Sequence, residues 1–210
     1  MSGELTRAIA GLEEKEALRI AREKLARGEE ANAILEESRH GMEIVGQKFA
    51  GGNYFLPELI YSGEIFKEIT EIVKPALQKG GRTERFGKVI IGTVAGDIHD
   101  IGKDIVVFML DVSGFEVYDL GVDVPVPRFI DKIKETGAPV VGLSGFLTLA
   151  FDSMKKTVEA INTAGLRDNV RIMIGGGQID EAIRQFTGAD AYGRDAMAGV
   201  ALVKTWLGRK

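Results

Sequence analysis

Cysteine is absent from the 210 residues, which excludes disulfides, thiolate metal sites and a cysteine nucleophile and leaves nitrogen and oxygen as ligand atoms for any metal. No apolar run approaches the roughly 20 residues that span a bilayer. The opening stretch, residues 1–10, lacks the charged and apolar regions of a signal peptide. A cytoplasmic protein with no membrane partner is therefore expected. Lys/Arg clusters interleaved with aromatics are missing too, and 27 basic against 31 acidic residues leave a formal charge of −4, so nucleic acid is not an expected partner. Long-period repeats and low-complexity tracts are lacking. Histidine occurs only twice, at His40 and His99.

What is present is an ordinary globular composition, 45% hydrophobic and 28% charged, enough to bury a real core. Up to about residue 80 the apolar residues recur at helical spacing: Ile34, Met42, Val45 and Phe49, then Leu59, Phe66, Ile69 and Val73. Pro57 stands where the first turn of a helix tolerates it, just after the loop Asn53-Tyr54-Phe55. Gly80-Gly81 ends this half, and the polar connector from Gly80 to Arg85 separates it from a segment of different character. From Lys88 onward short β-branched runs alternate with helical patterns, with strands expected at 89–94, 116–120, 140–143, 171–174 and 189–192. The reading is α followed by α/β: a helical bundle cap over 1–83, then a flavodoxin-like, Rossmann-like doubly wound domain of five parallel strands over 84–210. Ligands of such sheets sit outside the carboxyl ends of the strands, so the residues after each strand carry the functional information.

The first of these segments is Gly96-Asp97-Ile98-His99-Asp100-Ile101-Gly102-Lys103. Its histidine is flanked by carboxylates, and an imidazole that ligates a metal usually donates its other ring N–H to a carboxylate or carbonyl. Asp97 is spaced for that role. Gly96 permits a tight turn, and Gly102 would let a flat ligand or a neighbouring backbone come close. Asp100 and Lys103 read as helix-start and surface charges, with Asp100 near enough to tune the histidine. His40, in a helical stretch beside Glu36, Glu37 and Arg39, reads as a solvated surface residue. One histidine cannot supply a structural zinc site, which needs about four protein ligands. A single imidazole does suffice for a metal held by a macrocycle, a cobalt corrin or a haem.

Asp97-x-His99-x-x-Gly102 resembles the D-x-H-x-x-G motif of cobalamin-dependent methionine synthases and of the corrinoid proteins in anaerobic methanol, methylamine and methoxyarene methyltransferase systems. The resemblance extends over nearly the whole chain. It implies a cobalamin cofactor bound with its own base off the cobalt, His99 as lower ligand and Asp97 as that ligand's hydrogen-bond partner. Ser144 and Thr148, in Ser144-Gly145-Phe146-Leu147-Thr148, match hydroxyls that line the slot for the displaced nucleotide tail. The family often has Leu where this chain has Phe146, a departure that bears on tail packing. Gly175, Gly176 and Gly177 resemble the glycine motif beside the tail, and Ala196 aligns with a further tail contact. The segment Tyr54-Phe55-Leu56-Pro57-Glu58-Leu59 resembles the cap over the upper face of the corrin, although Gly51 stands where related caps commonly carry Glu.

The implied function is a methyl carrier. It takes a methyl group from a substrate-specific methyltransferase and presents it to a second methyltransferase that uses tetrahydrofolate or a coenzyme thiol, with a reductive activator as a further partner. Such a chain is a corrinoid subunit of a methyltransferase complex and not itself the catalyst. The alternative is the cobalamin-binding subunit of an adenosylcobalamin-dependent mutase, which shares the histidine, serine and glycine motifs. The cap segment favours methyl transfer. A dinucleotide-binding oxidoreductase is disfavoured because the first βα turn has no G-x-G-x-x-G.

Overall fold

The structure, a computed structural model, describes residues 3–80, 85–177 and 179–208. The chain divides into two units, Met1–Glu84 with Val112–Gly114 and Arg85–Asp111 with Phe115–Lys210. The boundary expected between 83 and 84, like the connector residues 81–84, lies outside the described residues.

The helical unit consists of α1 (Glu4–Ala10), α2 (Glu14–Ala26), α3 (Ala31–Ala50) and α4 (Leu56–Gly80). Ile34, Met42 and Val45 on α3 and Leu59, Ile65, Ile69 and Val73 on α4 are fully buried, the three- and four-residue spacing that lays one apolar stripe along each helix. Against α1 the stripe narrows: a Cβ on Gly41 would lie 2.8 Å from Ile9 Cβ, so the two helices meet where no side chain intervenes. Pro57 occupies the first turn of α4, and Glu58 accepts the Phe55 N–H at 2.9 Å, closing an orphan donor at that helix start.

The second unit alternates β1 (Lys88–Thr93), α5 (Ile101–Val112), β2 (Glu116–Asp119), α6 (Val126–Thr136), β3 (Val140–Ser144), α7 (Thr148–Thr163), β4 (Arg171–Gly175), α8 (Glu181–Thr187), β5 (Ala191–Gly193) and α9 (Ala196–Trp206), with a 3-10 turn at Arg167–Asn169. All pairings are parallel, in the order β2-β1-β3-β4-β5. β1 and β3 are buried along nearly their whole length, as strands covered by helices on both faces must be. The fifth strand starts two residues later than its hydrophobic pattern suggests. Asp190 there turns its carboxylate onto the Ile172 N–H at 2.7 Å and pairs with Arg167 at 2.9 Å.

Candidate functional site

The strand order decides where the site lies. From β1 the chain winds first to β2 and then, after crossing back, through β3 to β5, so the direction of winding reverses between β1 and β3 and a crevice opens at their carboxyl ends. The loop after β1 carries Gly96 to Asp100, and the loop after β3 carries Gly145 to Leu147. Val94 N–H reaches Ser144 O at 2.9 Å, joining the loops just beyond the ladder.

Asp97 is the keystone between them. It is 1% exposed, and each carboxylate oxygen is used twice. Oδ1 accepts the His99 backbone N–H at 3.0 Å and faces His99 Nδ1 at 2.6 Å. Oδ2 accepts the Phe146 and Leu147 N–H groups at 2.6 and 2.9 Å. Burial by itself pushes this carboxyl up. The N–H groups of Leu147 and His99, the His99 ring and the Phe146 N–H outweigh it and hold the carboxyl well below the usual range. Opposite a charged carboxylate Nδ1 is the donor, so in the neutral imidazole the lone pair is on Nε2 of a ring that is half exposed.

The backbone around this pair is braced from several sides. Thr93 Oγ1 donates to His99 O at 2.9 Å. Gly96 takes φ +84°, the tight turn expected of it, and donates to Asp123 Oδ1 at 2.8 Å. Asp123 returns its own N–H to Asp97 O at 2.9 Å and sits at φ +50°, a left-handed position that a non-glycine residue rarely holds. The two loops and the helix starts that follow them expose apolar side chains: Ile98 and Ile101 close to His99 in sequence, and Phe146, Leu147 and Leu149 after β3. Phe146 stacks on the His99 ring, centroids 4.6 Å apart and planes at 28°. Asp100 is exposed at the entrance to α5.

Beside this apolar platform lies a cavity of about 180 Å³, lined among others by Gly102, Lys103, Ser144, Gly175, Gly176, Gly177 and Ala196. Register explains it. Thr93, Ser144, Gly175 and Gly193 form one row across the carboxyl edge of the sheet, and small side chains in that row leave space above it. A Cβ on Gly176, at φ +96°, would lie 2.6 Å from Gly145 O, and one on Gly177 2.9 Å from Phe146 O. Those glycines therefore serve the contact between neighbouring loops as well as the cavity wall. Asp195 caps α9 by accepting the Ala198 N–H at 2.8 Å, which puts Ala196 at the cavity as the first residue of the helix.

Other expected site residues fall elsewhere. Thr148 is exposed at the start of α7 and outside the cavity lining. Phe146 also stands outside that lining, so the departure from Leu touches the histidine and not the cavity. Lys103 corrects the sequence reading outright. Its side chain is 2% exposed and pairs with Asp119 at 2.6 Å and with Asp104. Burial lowers the pKa of its ammonium, but the two carboxylates outweigh that and raise it above the ordinary value. In the helical unit the Tyr54 hydroxyl donates to Ala10 O at 2.9 Å and accepts from Lys48 at 3.1 Å, whereas Phe55 and Leu56 are exposed. Gly51 caps the end of α3. Thr93, Gly145 and Asp123 escaped the sequence reading, because their roles arise from register and loop-to-loop contact and not from any local pattern.

The donor set fits one kind of metal group. Among the described residues no three His, Cys, Asp or Glu side chains converge on a point. One carboxylate-held imidazole on an apolar platform, next to a small-residue cavity, suits a metal whose equatorial positions are already filled by a flat macrocycle with an appended tail.

The fold and these loops thus define a doubly wound domain built to hold a large cofactor at its switch point. Profiles of the B12 binding domain match residues 87–201 and residues 2–74. Trimethylamine corrinoid protein 2 of Methanosarcina mazei is 39% identical over 202 residues, 95% of this chain and 93% of that protein. Dimethylamine corrinoid protein 1 of Methanosarcina acetivorans is 38% identical over 209 residues, 97% and 98% of the two chains. The crystal structure of a cobalamin-binding protein from Desulfitobacterium hafniense DCB-2 superposes with a TM-score of 0.83 at 39% identity, covering 96% of both chains. The chain belongs to the B12-binding corrinoid proteins of methyltransferase systems, and its cofactor is cobalamin. No helix among the described residues is long and apolar enough to cross a membrane.

Proposed function

We propose that the chain is a methyl-carrying subunit. It holds cobalamin with the nucleotide base off the metal and Nε2 of His99 in its place. It receives a methyl group from a substrate-specific methyltransferase and yields it to a second methyltransferase whose acceptor is tetrahydrofolate or a coenzyme thiol, with a reductive activator as a further partner. The observation that carries this reading is the 2.6 Å contact between His99 Nδ1 and a buried, fully hydrogen-bonded Asp97. The names of the trimethylamine and dimethylamine relatives make methylated amines the first donors to test.

Bound cobalamin supplies a cobalt centre able to accept and release a methyl group. The chain's own residues do the rest. Asp97 keeps the proton on Nδ1 and the lone pair on Nε2. Ile98, Ile101, Phe146 and Leu149 offer apolar surface that a corrin face would cover, excluding water from the ring. Gly102, Ser144, Gly175, Gly176, Gly177 and Ala196 line the space offered to the nucleotide tail, and Thr148, exposed at the start of α7, offers a further hydroxyl to it. Phe55 and Leu56 expose the apolar surface that a cap over the upper face requires, and Tyr54 anchors that segment within the helical unit.

The test is reconstitution of the wild-type chain and His99→Ala with cobalamin. In the Co(II) state the wild type should show nitrogen superhyperfine splitting in its electron paramagnetic resonance spectrum, and His99→Ala should lose it, with cofactor retention falling about 10- to 100-fold. Cognate methyltransferases should then demethylate trimethylamine or dimethylamine only with the wild-type carrier. An unchanged cobalt spectrum in His99→Ala would overturn the ligand assignment.

A further inference from the structure

We infer that Phe146 is a positioning residue for His99, the aromatic half of a clamp whose polar half is Asp97, and that it fixes the plane in which the imidazole meets its metal. This inference rests on the ligand role proposed for His99. Two contacts of one residue carry it. The Phe146 ring stacks on the imidazole at 4.6 Å and 28°, and its backbone N–H donates to Asp97 Oδ2 at 2.6 Å. The other oxygen of that carboxylate faces Nδ1.

A single Nδ1 hydrogen bond fixes one ring atom but leaves the ring free to twist about the line to Asp97. A flat neighbour lying nearly parallel removes that freedom. Core packing does not account for a phenylalanine here, since the residue is 57% exposed. Nor does the cavity, whose lining omits it. Aromatic character at this position therefore acts on the ring it covers. The contribution is separable from Asp97, because the donors at positions 146 and 147 are backbone N–H groups that any substitution except proline preserves.

The test compares Phe146→Leu, which keeps apolar bulk, with Phe146→Tyr, which keeps the flat ring, and uses two readouts. In the cofactor-free chain, relaxation of the isotope-labelled His99 ring C–H should show a lower order parameter in Phe146→Leu and a wild-type one in Phe146→Tyr. In the chain loaded with Co(II) cobalamin, Phe146→Leu should weaken axial nitrogen binding roughly three- to tenfold. That appears as a mixture of split and unsplit resonance lines, and as a Co(II)/Co(I) potential less negative by up to about 59 mV, the equivalent of tenfold for one electron. Phe146→Tyr should restore both. Wild-type behaviour of Phe146→Leu in both readouts overturns the inference, as does a Phe146→Tyr variant that behaves like Phe146→Leu. His99→Ala distinguishes the two levels: if it retains nitrogen splitting, the ligand assignment has failed, while the cofactor-free measurement still decides whether Phe146 orders the ring.

Discussion

The platform around His99 and the cavity beside it share one sheet edge and are built by opposite means. The platform depends on side chains that are present: a carboxylate using both oxygens twice, an imidazole with one nitrogen tied down, and a ring stacked on it. The cavity depends on side chains that are small or missing, a row of Ser, Gly and Gly across three strands. Each therefore tolerates a different kind of change. A platform made of hydrogen bonds is sensitive to chemistry at constant volume, whereas a space made of glycines is sensitive to volume whatever the chemistry.

The sharpest way to break that contrast is to fill the cavity wall. Gly176→Ala puts a methyl group 2.6 Å from a backbone oxygen at φ +96°, where neither partner is the flexible end of a side chain. A loss of about 3 kcal/mol is expected, read as a lower urea midpoint at unchanged slope in the cofactor-free chain. Gly102→Ala is the matched control. It lies in α5 with nothing within 4 Å of the added carbon, so stability should hold or rise by about 0.5–1 kcal/mol, while cobalamin retention falls because Gly102 lines the cavity. Equal stability of the two variants would show that the Gly176 backbone moves freely and that the loop contact is not required.

Asp97→Asn probes the platform at nearly constant volume. An amide presents an N–H₂ group to donors that need an acceptor, so a loss of about 2–3 kcal/mol is expected, with cobalamin retention falling alongside. The pH dependence gives an independent check. The folded carboxyl titrates well below the unfolded value of about 4, so its contribution is fully present above that value and is lost as pH falls through the lower, folded one. The wild type should therefore lose stability from about pH 4 downward more steeply than Asp97→Asn. Parallel acid limbs would mean that Asp97 is not held as an anion.

How much of this was legible in the sequence follows from the same contrast. The five strands and the helical half were readable because hydrophobic period is a local signal. His99 stood out because the chain holds only two histidines and this one sits between carboxylates after a strand. Glycines that form a wall were readable as a motif but not as a wall, since the row joining Thr93, Ser144, Gly175 and Gly193 exists only once register is fixed. Phe146 is three-dimensional in the same way: its contact with His99 spans 47 positions of sequence and depends on β1 and β3 being neighbours. Lys103 misled for a further reason. A lysine in the first turn of a helix reads as a surface charge, and its burial becomes intelligible only when Asp119, from the end of β2, is brought to 2.6 Å.

Lys103 also offers the finest test of the comparison, because it lies on the helix that leaves the platform yet lines the cavity. Its ammonium is buried, but its partners are not: Asp119 is 35% and Asp104 61% exposed. Removing the lysine leaves both carboxylates in contact with water, so the several kcal/mol expected for an orphaned buried charge does not apply. Lys103→Met, which keeps the apolar stem in place, should lose about 1–2 kcal/mol. The raised ammonium pKa gives the sign of the pH effect: the pair's contribution is complete below the unfolded value of about 10.4 and is lost as pH rises through the higher folded one. The gap between wild type and Lys103→Met should therefore be constant at neutral pH and close only in strong alkali, as urea midpoints across that range will show. Cobalamin retention is the more telling readout. If the cavity works by the side chains it lacks, Met at this position should retain cofactor nearly as well as Lys does. A loss as large as that of Asp97→Asn would mean that the cavity too depends on a placed charge, and the division between the two regions would have to be redrawn with Lys103 on the side of His99.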